Sequence, residues 1–447
     1  MTRTLKPTKE IKGSITVPGD KSIAHRAVLI SLLSHQPIEI LNFPDNTDCL
    51  ASLNAVQTLG VQVEHQGERV VLQPTASISV PPETIIDCAN SGTTARLLAG
   101  IIAGLDLEVT LAGDESLQSR PMQRIVDPLT SMGAEFFTDN GHLPMRIRGH
   151  KLLPFEYTLP VASAQVKSAI MLAGLASGCS VTVRETVLTR DHTEIMLEAI
   201  GEGITQRKIN PVPVPDPIDP RRKRMQMPEP FKKEISLSAQ ANVNGGTLDI
   251  PGDFSTAAYF FAAAGIGRGT VEVCKVGLNP TRTAFLDYLK ACGCTVSIAN
   301  KTVVSGETRG DVTVTGAKLS SRKIAAENTV NLIDELPLLA VVAAFADGTT
   351  LIRDAAELKL KESDRLASVS ENLTRMGVKH GLLEDGLAIE GGRDFSGADF
   401  KSCGDHRIAM AFSVASLFLI GPSSIDDEDI VRVSCPNFYE LLDEIAR

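Results

Sequence analysis

Basic residues in this chain lie where helices are expected to begin. Residues 17–27 end a strand, pass through a Pro-Gly turn and enter an apolar helix that Asp20 or Ser22 can cap. Lys21 and Arg26 therefore lie near a helix N-terminus, where the helix dipole and the free N–H groups favour negative charge. A bound phosphate or carboxylate would resolve this conflict, because backbone donors, the Ser22 hydroxyl and both cations would converge on it. The alternative is a solvated helix start with two surface cations.

The same turn occurs a second time, about half the chain later. Residues 248–258 repeat the strand, the Pro-Gly-Asp turn and the start of an apolar helix, but they carry neither cation. The scaffold is therefore duplicated and the charge is not. This difference favours a binding site, rather than a structural need, as the reason for the cations in the first copy.

Three further turns carry polar groups that also have structural explanations. Residues 90–96 and 163–168 open apolar helices with hydroxyl groups that serve as ordinary caps. Arg120 precedes Pro121, which predicts an extended, outward-pointing arginine. Lys167 fits a solvated helix face. Taken singly, none of these turns requires a ligand.

Two carboxylates accompany further cations. Asp334 precedes a wholly apolar helix, so it is either an N-cap or a general base that faces the cations. Glu362 and Arg365, three positions apart, either pair within one helix or serve in a site. His406 and Arg407 open the last apolar helix. If the helix starts converge, their cations form a positive cleft suited to two multiply anionic substrates. The cations are Lys21, Arg26, Arg120, Lys361, Arg365 and Arg407.

The elements that must position these residues form a repeated α/β pattern. A polar turn, an Ala/Leu-rich helix and a β-like run can be traced six times, which predicts an α/β protein of two similar domains. We expect one domain from residues 1–19 with 247–447 and the other from 20–246. The expected helices begin near Ser22, Thr93, Ala164, Ser255, Glu335 and His406. The expected strands cover 38–41, 107–111, 180–183, 270–273, 349–352 and 423–425. Second helices should end at Gly60, Gly133, Gly293 and Gly377.

Composition narrows the class of protein. Of 447 residues, 43% are hydrophobic and 4% aromatic, with no Trp, so the cores must be aliphatic and rich in Ala. The net charge of −10 argues against a nucleic-acid or anionic-membrane partner. The first residues contain no apolar signal region, and the most apolar run, 338–346, is too short to span a bilayer. These features predict a soluble, cytoplasmic protein.

The cysteines and one segment of biased composition give little indication of a further site. Eight scattered cysteines form no paired C-x-x-C clusters, so no metal is expected, although Cys292 and Cys294 are close enough in sequence to be considered as ligands. Residues 210–230 are rich in Pro and include the basic run 221–224, which predicts an exposed, extended loop. The run could bind nucleic acid or an acidic partner, but a solvated loop beside the domain junction is favoured.

Eight motifs, in order across nearly the whole chain, resemble the 5-enolpyruvylshikimate-3-phosphate synthases of the enolpyruvyl transferase family. They occupy residues 18–26, 90–96, 120–122, 163–168, 190–194, 251–255, 361–365 and 405–410. The resemblance implies a two-domain inside-out α/β barrel, with three α/β units per domain about a pseudo-threefold axis. It also implies that the domains close on substrates bound between them.

The resemblance also supplies a reaction. The enolpyruvyl group of phosphoenolpyruvate is transferred to the 5-hydroxyl of shikimate 3-phosphate by addition and elimination, with release of phosphate. This step belongs to the shikimate pathway, which leads to chorismate and the aromatic amino acids. No cofactor is implied, and a monomer is expected.

Site residues are carried over motif by motif. The implied shikimate 3-phosphate site comprises Lys21, Ser22, Arg26, Ser163, Ala164, Gln165, Arg190, Asp334 and Lys361. The implied phosphoenolpyruvate site comprises Lys21, Gly92, Arg120, Gln165, Arg365 and Arg407. The implied catalytic residues are Asp334, Glu362, Lys21 and His406. In this scheme Asp334 accepts the 5-hydroxyl proton, and Glu362, supported by His406, helps to move a proton to and from the methylene carbon.

Some positions depart from the best-known pattern of the family. Ala164 stands where many members have a second Ser, and the tail near 434–436 lacks a Lys found in part of the family. The segment 210–230 looks longer than usual, and residues 190–192 read Arg-Asp-His. These features resemble a divergent branch, some of whose members tolerate glyphosate. Gly92, however, is the small residue typical of sensitive enzymes, so the response to glyphosate is left open.

Two rival functions are weighed against this one. The sister enolpyruvyl transferase that acts on a UDP-sugar usually carries a Cys before the Arg-Pro pair, and residues 113–119 contain none. The second rival is a non-catalytic anion-binding protein on the same scaffold. Such a protein would keep the arginines but would need neither Asp334 nor Glu362.

Overall fold

The structure, a computed structural model, describes residues 1–75, 77–215, 223–226, 230–325, 327–392 and 394–446. The α-helices of this part are α1 (Lys21–Ile30), α2 (Thr47–Thr58), α3 (Gly92–Ala103), α4 (Glu115–Gln118), α5 (Gln123–Met132), α6 (Ala164–Ser177), α7 (His192–Ile200), α8 (Phe254–Gly267), α9 (Ala284–Cys292), α10 (Glu327–Asn331), α11 (Leu336–Ala344), α12 (Arg365–Met376), α13 (His406–Ser416) and α14 (Phe438–Ile445). Short 3-10 helices cover Ser31–Leu33, Ala356–Leu360 and Asp429–Val433.

The strands alternate with these helices along the chain. They are β1 (Arg3–Leu5), β2 (Lys12–Thr16), β3 (Ile38–Leu41), β4 (Gln62–Gln66), β5 (Arg69–Gln73), β6 (Ile85–Asp87), β7 (Glu108–Ala112), β8 (Glu135–Asp139), β9 (His142–Arg148), β10 (Phe155–Thr158), β11 (Val181–Glu185), β12 (Gly201–Lys208), β13 (Val212–Pro215), β14 (Lys223–Gln226), β15 (Lys233–Val243), β16 (Gly246–Asp249), β17 (Thr270–Gly277), β18 (Thr295–Val304), β19 (Glu307–Thr315), β20 (Lys323–Ile324), β21 (Thr349–Ile352), β22 (His380–Leu383), β23 (Gly386–Glu390), β24 (Asp399–Phe400) and β25 (Ser423–Ile425).

Five four-stranded sheets share one topology. In each, an outer strand pairs in parallel with the strand that follows an apolar helix, and an antiparallel hairpin completes the sheet, as in the order β6-β7-β9-β8. The others are β16-β3-β5-β4, β10-β11-β15-β12, β2-β17-β19-β18 and β20-β21-β23-β22, and a shorter sheet has the order β1-β25-β24. The six predicted α/β units are therefore observed. Their apolar helices α1, α3, α6, α8, α11 and α13 begin within about a residue of the predicted starts.

The two Pro-Gly-Asp turns carry the chain from one half of the molecule to the other. Strand β2 pairs with β17, whereas β16 pairs with β3, so each turn leaves a sheet of one half and enters a helix of the other. The turns lie antiparallel, because Asp20 N donates to Pro251 O at 2.8 Å and Asp253 N donates to Pro18 O at 2.8 Å. Gly19 permits the first turn to pack closely on the backbone that follows β3, since a Cβ there would lie 2.0 Å from the carbonyl oxygen of Asn42.

Local capping explains where the helices begin and end. Asp20 accepts from Ile23 N at 3.0 Å, so α1 begins at Lys21, one residue before the predicted start at Ser22. Asp253 caps α8 in the same way, through Thr256 N at 2.9 Å. The expected Gly ends of α5, α9 and α12 are confirmed, each with a left-handed glycine at its C-terminus.

Two apolar cores support the two halves. One core gathers residues from 5–17 and 254–445, and the other gathers residues from 23–250. Helix α11 is buried on all sides, which fits its uniformly apolar sequence. The predicted domain boundaries remain a prediction, although Leu248 and Ile250 pack in the core of residues 23–250 rather than with the C-terminal half.

The Pro-rich segment 210–230 is more regular in its described part than expected. Strands β13 and β14 pair antiparallel as a hairpin, and Met225 is 64% exposed. Arg221 and Arg222 of the basic run lie outside the described residues. In the described part of the chain no helix is long and apolar enough to cross a membrane. All eight cysteines, Cys292 and Cys294 included, are free, and the described residues hold no cluster of His, Cys, Asp and Glu arranged for a metal ion.

Candidate active site

The helices that open the repeated units bring their N-termini to one region between the two halves of the chain. Helices α1, α3, α6, α8, α11 and α13 carry no acidic residue in their first turns. Residues of opposite halves meet there, since Arg190 contacts Asp334 and Arg120 contacts Glu362. The helix dipoles therefore add to the positive potential of the side chains. The helix starts also contact one another, since Lys21 N donates to Asp253, the cap of α8, and Ser255 of α8 donates to Glu335 at the start of α11. Gln165 of α6 donates to Thr93 of α3, and Arg407 of α13 lies 3.7 Å from Glu335. These contacts agree with the expected convergence of the helix starts.

Asp334 lies among four cations in this region. Arg190 donates a hydrogen bond to its carboxylate. Arg365 lies 3.5 Å, Arg407 3.6 Å and Lys361 3.9 Å from its oxygens. Burial alone would raise the pKa of Asp334, but these cations hold that pKa well below its usual range. The carboxylate is therefore ionised at neutral pH and able to accept a proton.

Asp334 does not cap helix α11. The N-cap position belongs to Glu335, whose side chain makes no capping hydrogen bond. Ser255 donates to Glu335, and Arg407 lies 3.7 Å away. Burial raises the pKa of Glu335, in contrast to its neighbour. Two adjacent carboxyl groups therefore have opposite shifts, a pattern that is common where one of them must act as a base.

Arg365 joins the second carboxylate to the site. It is 1% exposed, and its guanidinium contacts Glu362 at 2.6 Å and Asp405 at 2.7 Å. The pair of Glu362 and Arg365 exists as expected, but helix α12 begins at Arg365, so the glutamate precedes the helix. Burial opposes ionisation of Glu362, whereas Arg365 and Arg120 hold its pKa well below its usual range.

Arg120 does not point outward, contrary to the expectation from Pro121. Its side chain is 5% exposed and donates to Asn90 Oδ1 at 2.6 Å and Ser116 Oγ at 3.0 Å. It also faces Glu362 of the other half at 3.7 Å. The guanidinium turns inward because it has several N–H donors and the interior offers two acceptors and a carboxylate. Pro121 restricts the backbone of Arg120 but not the direction of its side chain.

A second arginine lies beside the start of α3. Arg96 donates to Gln165 Oε1 at 3.1 Å, and Gln165 donates to Thr93 Oγ1 at 3.1 Å. No ion pair of Arg96 is found in the described part of the chain, and burial lowers its pKa to about 9. A Cβ on Gly92 would lie 2.6 Å from Nη1 of Arg96 and 3.4 Å from Nη1 of Arg120. Glycine at this position therefore leaves room for both arginines.

The start of α1 contributes a lysine and an arginine. Lys21 Nζ lies 3.0 Å from Asp48 Oδ2, with both side chains mostly buried. Arg26, 3% exposed, turns back to donate to the carbonyl oxygen of Ser22 at 2.8 Å. Its Nε donates to Thr193 Oγ1 at 2.8 Å, and burial lowers its pKa to about 10. The two cations thus lie at one helix start, as predicted, but already have protein partners.

Three further predicted residues lie at helix starts. Ser163 caps α6 by accepting from Val166 N at 3.3 Å, and Ala164 is the first residue of that helix. His406 begins α13, directly after its N-cap Asp405. Its Nε2 has no hydrogen-bond partner among the described residues, and burial and Lys21 lower its pKa well below its usual range. His406 is therefore neutral at physiological pH.

Lys167 is not a solvated residue. Its side chain is 0% exposed, and its ammonium lies 2.7 Å from Glu194 and 3.0 Å from Glu185. This buried ion pair lies next to Ser168 and Thr193, the residues that hold Arg26.

Several functional candidates were not identified from the sequence. They are the cation partners and linkers Asp48, Arg96, Thr193, Arg282 and Asp405. Asp405 and Arg96 stood in quoted motifs and could have been selected for their charge. Arg282 contacts Asp20 at 3.1 Å and Ser255 at 2.7 Å. It was missed because it does not lie at one of the predicted helix starts. Asp48 reaches Lys21 only because helix α2 packs beside α1, which the sequence does not show.

The depressed pKa values of Asp334 and Glu362 predict how stability depends on pH. Each folded-state pKa lies below the unfolded value, so the stabilisation is present above about pH 4 and is lost as pH falls further. We expect the urea midpoint to fall steeply below about pH 4, and less steeply in Asp334→Asn. The control Asp443→Asn removes an exposed carboxylate and should keep the wild-type slope. Equal slopes in all three proteins would contradict the assignment.

Comparison with known proteins identifies the family. A family model described as EPSP synthase (3-phosphoshikimate 1-carboxyvinyltransferase) matches residues 5–217 and 229–442. A 3-phosphoshikimate 1-carboxyvinyltransferase from Salinibacter ruber is 41% identical over 453 residues, covering 100% of both chains. One from Geobacter sp. strain M21 is 40% identical over 448 residues, covering 99% of both.

Solved structures agree with the sequence relatives. A structure of EPSP synthase from Acinetobacter baumannii superposes with a TM-score of 0.82 at 34% identity, and the match covers 100% of this chain and 98% of that one. The two-domain α/β fold is therefore shared as well as the sequence motifs. The chain belongs to the EPSP synthase (3-phosphoshikimate 1-carboxyvinyltransferase) family.

Proposed function

We propose that this protein transfers the enolpyruvyl group of phosphoenolpyruvate to the 5-hydroxyl of shikimate 3-phosphate, releasing phosphate. The observation that carries the proposal is the position of Asp334 among Arg190, Lys361, Arg365 and Arg407, where the two halves meet. A site with a fixed base and an excess of cations suits a reaction between two multiply anionic substrates. The protein acts on these small molecules as a cytoplasmic monomer, without a nucleic-acid or membrane partner.

The acceptor, shikimate 3-phosphate, is held by the starts of α1 and α6 and by Arg190. Lys21, Ser22 and Arg26 supply donors from the first helix, and Ser163, the backbone of Ala164 and Gln165 supply them from the second. Arg190 and Lys361 complete the site, and both now contact Asp334. The phosphate of the acceptor would pair with these cations in place of Asp334. The 5-hydroxyl of shikimate 3-phosphate would then lie against the Asp334 carboxylate.

The donor, phosphoenolpyruvate, binds to arginines of both halves. Arg120 lies on one half, Arg365 and Arg407 lie on the other, and Glu362 joins Arg120 to Arg365 across the gap. The donor site is completed by Lys21, Gln165 and the backbone at Gly92. Guanidinium forks match the phosphate and the carboxylate of this substrate. Because both halves contribute ligands, binding favours the closed arrangement.

Proton transfer is divided between two carboxyl groups. Asp334 accepts the proton of the 5-hydroxyl as that oxygen attacks C2 of phosphoenolpyruvate, and C3 gains a proton. Glu362 supplies the C3 proton, which completes the tetrahedral adduct, and removes a C3 proton again as the C2–O bond to phosphate breaks and phosphate leaves. Lys361, whose pKa burial lowers, lies in the same loop. Neutral His406 stands beside this pair at the start of α13. The anionic donor pairs with Arg365 and Arg120, which weakens their hold on Glu362 and raises its pKa toward that of an acid.

The decisive assay measures phosphate release from phosphoenolpyruvate with three acceptor conditions. Release with shikimate 3-phosphate, and none without it, supports the proposed reaction. Release with a UDP-sugar alone would instead assign the sister transferase, against which the lack of Cys in residues 113–119 argues. Binding of shikimate 3-phosphate without release under any condition would favour a non-catalytic anion-binding protein.

A substitution at Gly92 tests the geometry of the donor site. In Gly92→Ala the new Cβ would approach Nη1 of Arg96 to 2.6 Å, so the arginine must move. We expect the KM for phosphoenolpyruvate to rise about tenfold, with a smaller change for shikimate 3-phosphate. Steady-state kinetics with each substrate varied measures this. Gly381→Ala is the control, since no atom lies within 4 Å of its Cβ position. An unchanged KM in Gly92→Ala would contradict this site.

A further inference from the structure

We propose that Lys167, together with Glu185 and Glu194, is a positioning residue that holds Arg26 and Arg190 in place for the acceptor. This inference rests on the proposed function and extends it to side chains that do not touch the substrate. Its basis is a buried ion cluster that fastens both ends of one short segment. That segment, residues 189–194, lies between β11 and α7 and includes the first turn of that helix.

Every residue of the segment 189–194 has a polar side-chain partner, and Lys233 lies 3.5 Å from Glu194 as well as 3.3 Å from Asp191. Thr189 donates to Glu185, Arg190 donates to Asp334, and Asp191 contacts Lys233 and Asn279. His192 contacts Glu307, Thr193 accepts from Arg26, and Glu194 contacts Lys167. The partners Asp334, Asn279 and Glu307 belong to the C-terminal half, whereas the others belong to residues 23–250. The segment therefore joins the acceptor cations to the contact between the two halves.

Lys167 is the group that closes this arrangement. Its ammonium lies 3.0 Å from Glu185, which also accepts from Thr189 N at 3.2 Å at one end of the segment. It lies 2.7 Å from Glu194 at the other end. All three charged side chains are 0% exposed, so the ion pairs are little screened by solvent. One buried cation thus ties both ends of the segment to helix α6.

Helices α6 and α7 make a second contact, through the residues next to Lys167 and Glu194. Ser168, next to Lys167, contacts Thr193 at 2.7 Å, and Thr193 is next to Glu194. Arg26 donates to both hydroxyls, through Nε to Thr193 at 2.8 Å and through Nη2 to Ser168 at 3.2 Å. If α7 moved away from α6, the guanidinium of Arg26 would lose the pair of acceptors that sets its plane. The ion pair therefore controls the direction of a substrate-binding cation.

The test compares Glu194→Gln with a variant that lowers stability without touching the ion cluster. Glu194→Gln keeps the shape of the side chain and leaves Lys167 paired with Glu185, so the fold should survive. We expect the KM for shikimate 3-phosphate to rise about tenfold and that for phosphoenolpyruvate to change less than about twofold. The matched control is Met171→Ala, which removes buried apolar contacts from the same helix and should lower stability while leaving both KM values unchanged.

A double-substitution cycle guards against a merely structural effect. Thr193→Val replaces with a methyl group the hydroxyl that accepts from Arg26 and contacts Ser168, and it should raise the same KM. If Glu194 acts through Thr193, the two effects on the KM for shikimate 3-phosphate are not additive. Additive effects, an equal rise in both KM values, or no change in Glu194→Gln would overturn the inference. Wild-type turnover with shikimate 3-phosphate is measured first, because its absence would refute the proposed function rather than the positioning role.

Discussion

Replacing Asp334 by Asn should reduce turnover by about 10²–10⁴ without weakening the binding of either substrate. The loss follows because the amide cannot accept the 5-hydroxyl proton, and general-base catalysis contributes about this much. Binding should be retained or tightened, because Arg190, Arg365 and Arg407 no longer pair with a carboxylate of the protein. The measurement is kcat from phosphate release, combined with calorimetric titration of shikimate 3-phosphate.

A suitable control for Asp334→Asn neutralises another carboxylate that pairs with a cation of the same site. Asp48→Asn frees Lys21, which lies 3.0 Å from it, but removes no proposed base. We expect its turnover to fall by less than about tenfold. Full turnover in Asp334→Asn would refute its role as the base. A comparable loss in Asp48→Asn would mean that the charge balance of the site, and not a proton acceptor at position 334, limits the reaction.

The backbone of this protein was largely predictable because its signals are local. Helix starts follow from capping residues and apolar periodicity, and the duplicated Pro-Gly-Asp turns showed that the scaffold repeats. Local signals do not specify that β2 pairs with β17 and β16 with β3, since these pairings depend on how the two turns cross. The pairing of β13 with β14 was missed for a related reason, because a Pro-rich composition favours an unpaired loop.

Side-chain direction was the harder part of the site. Anomalous cations at helix starts identified Lys21, Arg26 and Arg407, because their charge conflicts with the helix dipole. The same reasoning failed for Lys167 and Arg120, whose partners lie far along the chain and become neighbours only after packing. The sequence gives the charge of each side chain, whereas its burial depends on which elements pack together. The residues that hold the cations were therefore missed more often than the cations themselves.

Replacing Glu362 by Gln should reduce turnover by about 10²–10³ and slow proton exchange at the methylene carbon to the same extent. In the free protein Arg365 and Arg120 keep the pKa of Glu362 low, so the group must be protonated after the donor substrate has bound. Turnover in deuterated water then introduces deuterium into the methylene group, which mass spectrometry of substrate and product detects. A neutral amide can neither give nor take this proton, so incorporation should fall together with kcat.

The matched control for this substitution is Glu357→Gln. Glu357 precedes Glu362 in the same connection and pairs with Arg124 of the other half at 2.6 Å, so both variants lose one carboxylate from an arginine across the gap. If contact between the halves is what Glu362 contributes, the two variants should be equally impaired and deuterium incorporation per turnover should remain normal. If Glu362 moves the proton, the control should keep most of its turnover. Normal incorporation in Glu362→Gln would assign the C3 proton to another group, for which Lys361, with its lowered pKa in the same loop, is the nearest candidate.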